Sequence, residues 1–116
     1  MPAEFEDVEE ADNEEYFIFI KNQKNPDSQY KITKLVYPSP ATWVAVKGSW
    51  GNWNKEIVLK KTKNFEGHVE FYVTLKIAPG NYQFKFISDG AWVLSNYYPV
   101  AEPNGEIVNN LLSVHS

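Results

Sequence analysis

A chain of 116 residues, 43% hydrophobic and 16% aromatic, is long enough for one domain with its own core. It has no cysteine, which excludes a disulfide scaffold and any thiolate metal site, and no apolar run approaches the roughly 18 residues of a membrane span. The net charge of −4 conceals a division: residues 1–15 hold eight acids and no base, while the rest carries all eleven lysines against seven acids, a net of +4, with no arginine anywhere.

In chain order, the opening MPAEFEDVEE lacks the basic and apolar regions of a signal peptide. A soluble, cytoplasmic protein is therefore expected. Residues 1–15 read as a solvated, disordered acidic arm ahead of a single domain over residues 16–116. YFIFI (16–20) and YKITKLVY (30–37) are strand candidates. Pro38 and Pro40 interrupt the chain before WVAVKG (43–48), which should turn Val44 and Val46 inward. There follows GSWGNWNKE (48–56), two tryptophans among turn-forming residues. Strand parity carried on from Val44, Val46 and Gly48 points Trp50 inward and leaves Trp53 facing out. Trp43 has outward parity, open to cover by the N-terminal strand. EIVLK (56–60) is a further strand candidate.

The clearest periodicity is VEFYVTLKI (69–77), with Val69, Phe71, Val73, Leu75 and Ile77 on one face and Glu70, Tyr72, Thr74 and Lys76 on the other. APG (78–80) is a turn, and NYQFKFIS (81–88) should place Tyr82, Phe84 and Phe86 inward with Gln83 and Lys85 outward. An antiparallel hairpin between these two strands is expected. Asp89-Gly90 is a two-residue hairpin turn, since both positions tolerate positive φ; it should lead into a short strand over 91–94. Pro99 and Pro103 break the next loop, and IVNNLLSV (107–114) closes the chain as a last strand. No stretch has a helical period. About seven or eight short strands predict an all-β, immunoglobulin-like antiparallel β-sandwich.

No catalytic constellation assembles from these elements. The two histidines, His68 and His115, stand at a strand start and at the end of the sequence, and both read as solvated rather than as members of a hydrolase triad. Asp89 has a structural task in its turn. Glu56, Glu66, Glu70, Glu102 and Glu106 are scattered among loops and outward positions, not paired across a cleft. No metal-ligand spacing and no phosphate-cradling glycine loop is present. The expectation is a non-enzyme with neither metal nor cofactor.

What remains is aromatic. Trp53 after a Gly-Asn loop and Trp92 after a hairpin turn, with Lys85 outward nearby, form a flat apolar platform with polar edges. Such a platform suits a sugar ring, which offers an apolar C–H face and a rim of hydroxyls. Tryptophan supplies rigid contact area and an N–H donor; amide side chains both donate and accept, as hydroxyls do. The same residues equally suit ordinary lids over a sandwich edge.

In order along the chain, VKGSWGNWNKEIVL, LKIAPGNYQFKFISDGAW and GEIVNNLLSV resemble the glycogen-binding domain of the AMP-activated protein kinase beta subunit, in carbohydrate-binding module family 48. The resemblance runs from about Ile32 to Val114 and rests on four features in register: the G-S-aromatic-x-x-W loop, the G-x-Y-x-F-K-F strand, the D-G-x-W turn and the V-N-N final strand. It implies an early-set immunoglobulin-like sandwich that binds α-1,4-linked glucans such as glycogen or starch. The family's stacking tryptophans fall on Trp53 and Trp92, its sugar-contacting lysine on Lys85 and its asparagine on Asn109. Asn54, Tyr97, Tyr98 and Asn110 are possible additional contacts. Two departures stand out. Ser95-Asn96 replace the common Asp-Pro after the second tryptophan, and Ile107 in the slightly longer EPNGEI loop replaces a hydroxyl-bearing threonine.

The leading expectation is thus a non-catalytic glucan-binding module that holds a kinase, phosphatase or other glucan-metabolism protein at a polysaccharide. The alternative is a protein-interaction domain of the same fold that has lost the sugar. Binding to single-stranded nucleic acid also uses aromatic platforms with basic residues, but the missing arginines and the acidic arm argue against it.

Overall fold

The computed structural model describes residues 17–21, 29–101, 105 and 108–115. The acidic arm, Ile107 and most of the EPNGEI loop lie outside the described residues. Ten strand segments are present among the described ones: β1 (Phe17–Ile20), β2 (Lys31–Tyr37), β3 (Val44–Gly48), β4 (Ile57–Val58), β5 (Lys60–Lys63), β6 (Val69–Ile77), β7 (Gly80–Ser88), β8 (Ala91–Val93), β9 (Val100–Ala101) and β10 (Asn109–Val114). A 3₁₀ turn, Ser49–Gly51, follows β3. The count exceeds the expected seven or eight because EIVLK divides between β4 and β5 and because the two-residue β9 is too short to carry a readable alternation.

These segments form two sheets packed as a sandwich, in agreement with the all-β, immunoglobulin-like expectation. In the first sheet β6 is central, with β2 along one edge; β1 and β5 share the other, at Thr74–Ile77 and Val69–Tyr72 respectively. The second sheet runs β4-β3-β7-β10-β9. There β8 and β10 follow one another along the same edge of β7, at Phe86–Ser88 and Gly80–Phe84. Pairing is antiparallel except for β1, which lies parallel to β6.

The alternation in the sequence does its expected work. Phe71, Val73, Leu75 and Ile77 of β6 are buried, as are Leu35 and Tyr37 of β2, Val44 and Val46 of β3, Phe84 and Phe86 of β7, and Leu112 and Val114 of β10. Burial of a large aliphatic or aromatic side chain is worth about 1.5–3 kcal/mol relative to exposure, so this one inter-sheet cluster is the main source of stability. The Asp89-Gly90 turn also forms as expected: Asp89 and Gly90 have φ of 49° and 90°, and Ser88 faces Ala91 across the hairpin.

Two expectations are corrected. β6 and β7 are not a hairpin; they lie in different sheets. Each presents a full apolar face, and two such faces exclude more water by meeting across the core than by lying side by side. APG is therefore a crossing between sheets, where the Tyr82 hydroxyl donates a 2.7 Å hydrogen bond back to the Ala78 carbonyl. This is the tyrosine corner that recurs at the equivalent corner of immunoglobulin-like sandwiches. EIVLK is likewise not one strand. Leu59 interrupts it, donating its N–H to the Val44 carbonyl at 2.8 Å, so β4 stays with β3 while β5 passes to β6. Nor does the N-terminal strand cover Trp43. β1 belongs to the first sheet, and Trp43 remains 39% exposed ahead of β3 in the second.

Candidate functional site

The outward face of the second sheet is assembled by register. Lys47 of β3 lies directly opposite Lys85 of β7. Trp92 of β8 faces Ile87, and Leu111 of β10 faces Gln83; by the two-residue period Asn109 shares the outward side with Leu111. Gln83, Lys85, Lys47, Trp92 and Asn109 thus share one surface, although they come from four strands.

Trp53 is brought to that surface by the loop after β3. Asn52 ends the 3₁₀ turn at φ 55° and Trp53 follows at φ 65°, two consecutive residues in the left-handed region. Asn tolerates it; a bulky residue there costs about 1–2 kcal/mol. The loop is pinned by Trp53 N–H donating to the Gly48 carbonyl at 3.1 Å and Asn54 N–H to the Gly51 carbonyl at 3.1 Å. The Gln83 N–H donates to Ser49 Oγ at 3.0 Å, fastening the loop to β7. Trp50 anchors the loop from beneath. Its ring stacks on Phe84 at 6.2 Å and meets Tyr82 edge-on, and its Nε1 is buried without an acceptor among the described residues. The two tryptophans of GSWGNWNKE therefore part company, Trp50 packing inward and Trp53 turning up.

Trp53, Lys85, Trp92 and Asn109 line one open depression of about 350 Å³. These are the four principal residues expected from the sequence, drawn from the loop after β3, β7, β8 and β10. Trp92 is 53% exposed. The Nζ atoms of Lys47 and Lys85 lie 5.9 and 5.8 Å from the centroid of its ring, within cation–π range. Asn109 Nδ2 donates to Gln83 Oε1 at 2.8 Å, which fixes the Asn109 amide and leaves its oxygen and the Gln83 amino group as acceptor and donor. Among the described residues the lining holds indole faces, an ammonium and an amide, and no carboxylate or imidazole. It can stack on a flat apolar face and hydrogen-bond a polar rim.

The additional candidates separate. Asn54 is exposed on the loop beside Trp53 but does not line the depression. Asn110 is fully buried, and its assignment as a ligand contact is corrected to an internal clamp. Its Oδ1 accepts from the Ser95 N–H at 2.9 Å, and its Nδ2 donates to the carbonyls of Ser95, Tyr98 and Pro99 at 3.0, 3.3 and 3.2 Å. Tyr98 is corrected in the same way: its ring packs on Phe84 and Phe86 and its hydroxyl accepts from the Val36 N–H at 2.9 Å. Burial pushes the Tyr98 hydroxyl pKa up, opposed by that backbone hydrogen bond. Burial likewise raises that of Tyr82, with Tyr30 adding to it. Tyr97 is 70% exposed but lines a different depression.

Sequence reasoning missed Lys47 and the pairing role of Gln83. Both have outward parity on strands it identified, and the β3–β7 register would have found them. Asp89 has the structural task expected of it: its carboxylate accepts from the Thr42 and Trp43 N–H groups at 2.9 Å each. His68 is exposed, 3.7 Å from Glu66. Among the described residues no group of three or more potential metal ligands occurs, and no helix is long and apolar enough to cross a membrane.

A family model described as the glycogen recognition site of AMP-activated protein kinase matches residues 32–116. The chain is similar to 5'-AMP-activated protein kinase subunit beta-2 of Rattus norvegicus, 31% identical over 102 residues, covering 83% of this chain and 36% of the relative. It is also similar to Protein PTST homolog 2, chloroplastic, of Arabidopsis thaliana, 33% identical over 84 residues and covering 72% and 15%. Protein FLOURY ENDOSPERM 6, chloroplastic, of Oryza sativa subsp. japonica is 31% identical over 87 residues, covering 75% and 16%. The chain thus spans about a third or less of the length of these relatives.

Proposed function

Because the chain belongs to the family of the glycogen recognition site of AMP-activated protein kinase, we propose that it is a non-catalytic module that binds α-1,4-linked glucan through Trp53, Trp92, Lys85 and Asn109. The observation that carries this reading is the grouping of those four side chains around one open depression. The indoles of Trp53 and Trp92 stack on successive sugar rings. Lys85 and the Asn109 amide meet ring hydroxyls, with Lys47 and Gln83 as their neighbours. A surface so open buries little ligand, so a short glucan binds weakly, on the order of micromolar to millimolar. Two contacts on one polysaccharide, or several modules, raise retention by avidity.

The task of such a module is to hold a protein at glycogen or starch. A kinase, a phosphatase or another protein of glucan metabolism is the proposed cargo, and the cytoplasm the proposed location. A fluorescent fusion coincident with cytosolic glycogen supports that location; a plastid signal, as the names of the plant relatives would suggest, contradicts it.

The test is retention on glycogen. Trp53→Ala and Trp92→Ala should each abolish retention while thermal unfolding stays cooperative. Wild-type retention in either variant refutes the site. A second reading, a protein-interaction domain that has lost the sugar, draws on apolar side chains exposed away from the depression, such as Phe65 at 98% and Ile32 at 59%. Absence of any enrichment of the wild-type protein on amylose or glycogen favours it.

A further inference from the structure

We propose that Tyr97 is the platform of a second, separate glucan contact, distinct from the depression of Trp53 and Trp92; this rests on the glucan-binding reading above.

Three observations support it. First, the Tyr97 ring is 70% exposed. Among the described residues it joins no ring pair, and its hydroxyl makes no hydrogen bond there, unlike the hydroxyl of Tyr98. Second, the segment carrying it is locked. Asn110 holds Ser95, Tyr98 and Pro99 through four hydrogen bonds, Ser95 Oγ accepts from the Tyr97 N–H at 3.1 Å, and the Tyr98 hydroxyl ties the segment to Val36 of the opposite sheet. A backbone already held in place leaves only the ring to be ordered on binding. The same logic, a strained or clamped loop lifting one aromatic ring, governs Trp53.

Third, Tyr97 lines a depression of about 530 Å³ that combines an apolar floor with a polar rim, the rim here carrying a carboxylate and an imidazole that the first site lacks. Pro38, Pro40 and Val69 supply apolar floor; Asn64, His68 and Glu70 supply a polar rim. The rim is also ordered. Asn64 Oδ1 accepts from the Glu66 and His68 N–H groups at 2.9 and 3.0 Å, and Asn64 Nδ2 donates to Glu70 Oε2 at 3.2 Å. That leaves the other Glu70 oxygen to accept from sugar hydroxyls. Tyr97 lies only five positions after Trp92, so their Cα atoms lie within about 18 Å of one another. One branched polysaccharide can therefore engage both rings, while a short oligosaccharide seated on the tryptophans need not.

The experiment compares Tyr97→Ala with wild type on two ligands. Maltoheptaose affinity, read by tryptophan fluorescence, should stay within about twofold, whereas retention on glycogen should fall about tenfold or more as avidity is lost. Tyr97→Trp should strengthen retention on glycogen. An amide NMR titration of the Trp53→Ala/Trp92→Ala double variant with maltoheptaose should still shift the resonances of Tyr97, His68 and Val69. If wild type binds glycogen and Tyr97→Ala is retained equally well, the second contact is overturned and the first site stands. If wild type binds neither ligand, the glucan reading itself fails. An equal loss of maltoheptaose affinity in Tyr97→Ala would place the tyrosine in the first site and also overturn the proposal.

Discussion

Gly48 and Asn110 show how single atoms set the site. A Cβ on Gly48 would lie 2.7 Å from three carbons of the Trp50 ring, closer than real contacts allow, and Trp50 is the anchor from which the chain turns to raise Trp53. Gly48→Ala should cost about 1–3 kcal/mol in a denaturant titration and weaken glucan binding beyond what Gly51→Ala does; unchanged stability would show that the loop is not built on that close approach. Asn110→Ala leaves the Ser95 N–H and the Ser95 and Tyr98 carbonyls short of that partner, and should cost about 2–4 kcal/mol. The two asparagines of VNN show where legibility ends at this scale. Adjacent residues on a strand point to opposite faces, so Asn109 reaches the surface and Asn110 the interior, but which is which depends on the β7–β10 register. Trp53 was legible because it breaks a pattern, a bulky side chain in a loop; its positive φ supplies the physical reason.

At the scale of elements, β6 and β7 were readable because one face of each is apolar along most of its length, and β2 and β10 through shorter apolar stretches. The pairing between them was not. Alternation in β6 and β7 is equally compatible with one sheet or with two facing sheets, and only the Tyr82–Ala78 corner decides between them. Leu59, where the chain leaves one sheet for the other, carries no signal of its own. The β7–β8 hairpin is the element that holds Trp92, and it depends on Asp89, whose carboxylate accepts three hydrogen bonds from the Thr42 and Trp43 N–H groups while its backbone adopts φ 49°. Asp89→Ala should lower the thermal midpoint, consistent with a loss of about 1–2 kcal/mol. Asp89→Asn, which tolerates positive φ and keeps one acceptor oxygen, should lose distinctly less. Equal losses would mean that the carboxylate contacts contribute little.

For the whole molecule, the two sheets are fastened at two places by tyrosine hydroxyls, Tyr82 to Ala78 and Tyr98 to Val36. Burial raises the pKa of both above the ordinary value of 10.0. Between the unfolded and folded values the native state holds a proton that the unfolded chain has released. The stability linked to these groups is therefore complete below pH 10 and is lost as pH rises above it. Tyr98→Phe should be less stable at neutral pH, by about 1 kcal/mol, yet decline less steeply in the alkaline range. A parallel decline would remove Tyr98 from the linkage. The same division of labour explains the site: the sandwich core fixes β7 and β10, their outward residues form a rigid floor, and the loop after β3 and the short strand β8 add the aromatic rings.

The most direct test of that arrangement is a titration with maltoheptaose that follows each indole N–H by NMR. The resonances of Trp53 and Trp92 should move together and saturate with a single dissociation constant, on the order of micromolar to millimolar, while those of Trp43 and Trp50 stay in place. No movement of either Trp53 or Trp92 up to about 10 mM ligand, or movement confined to Trp43 or Trp50, would contradict the account.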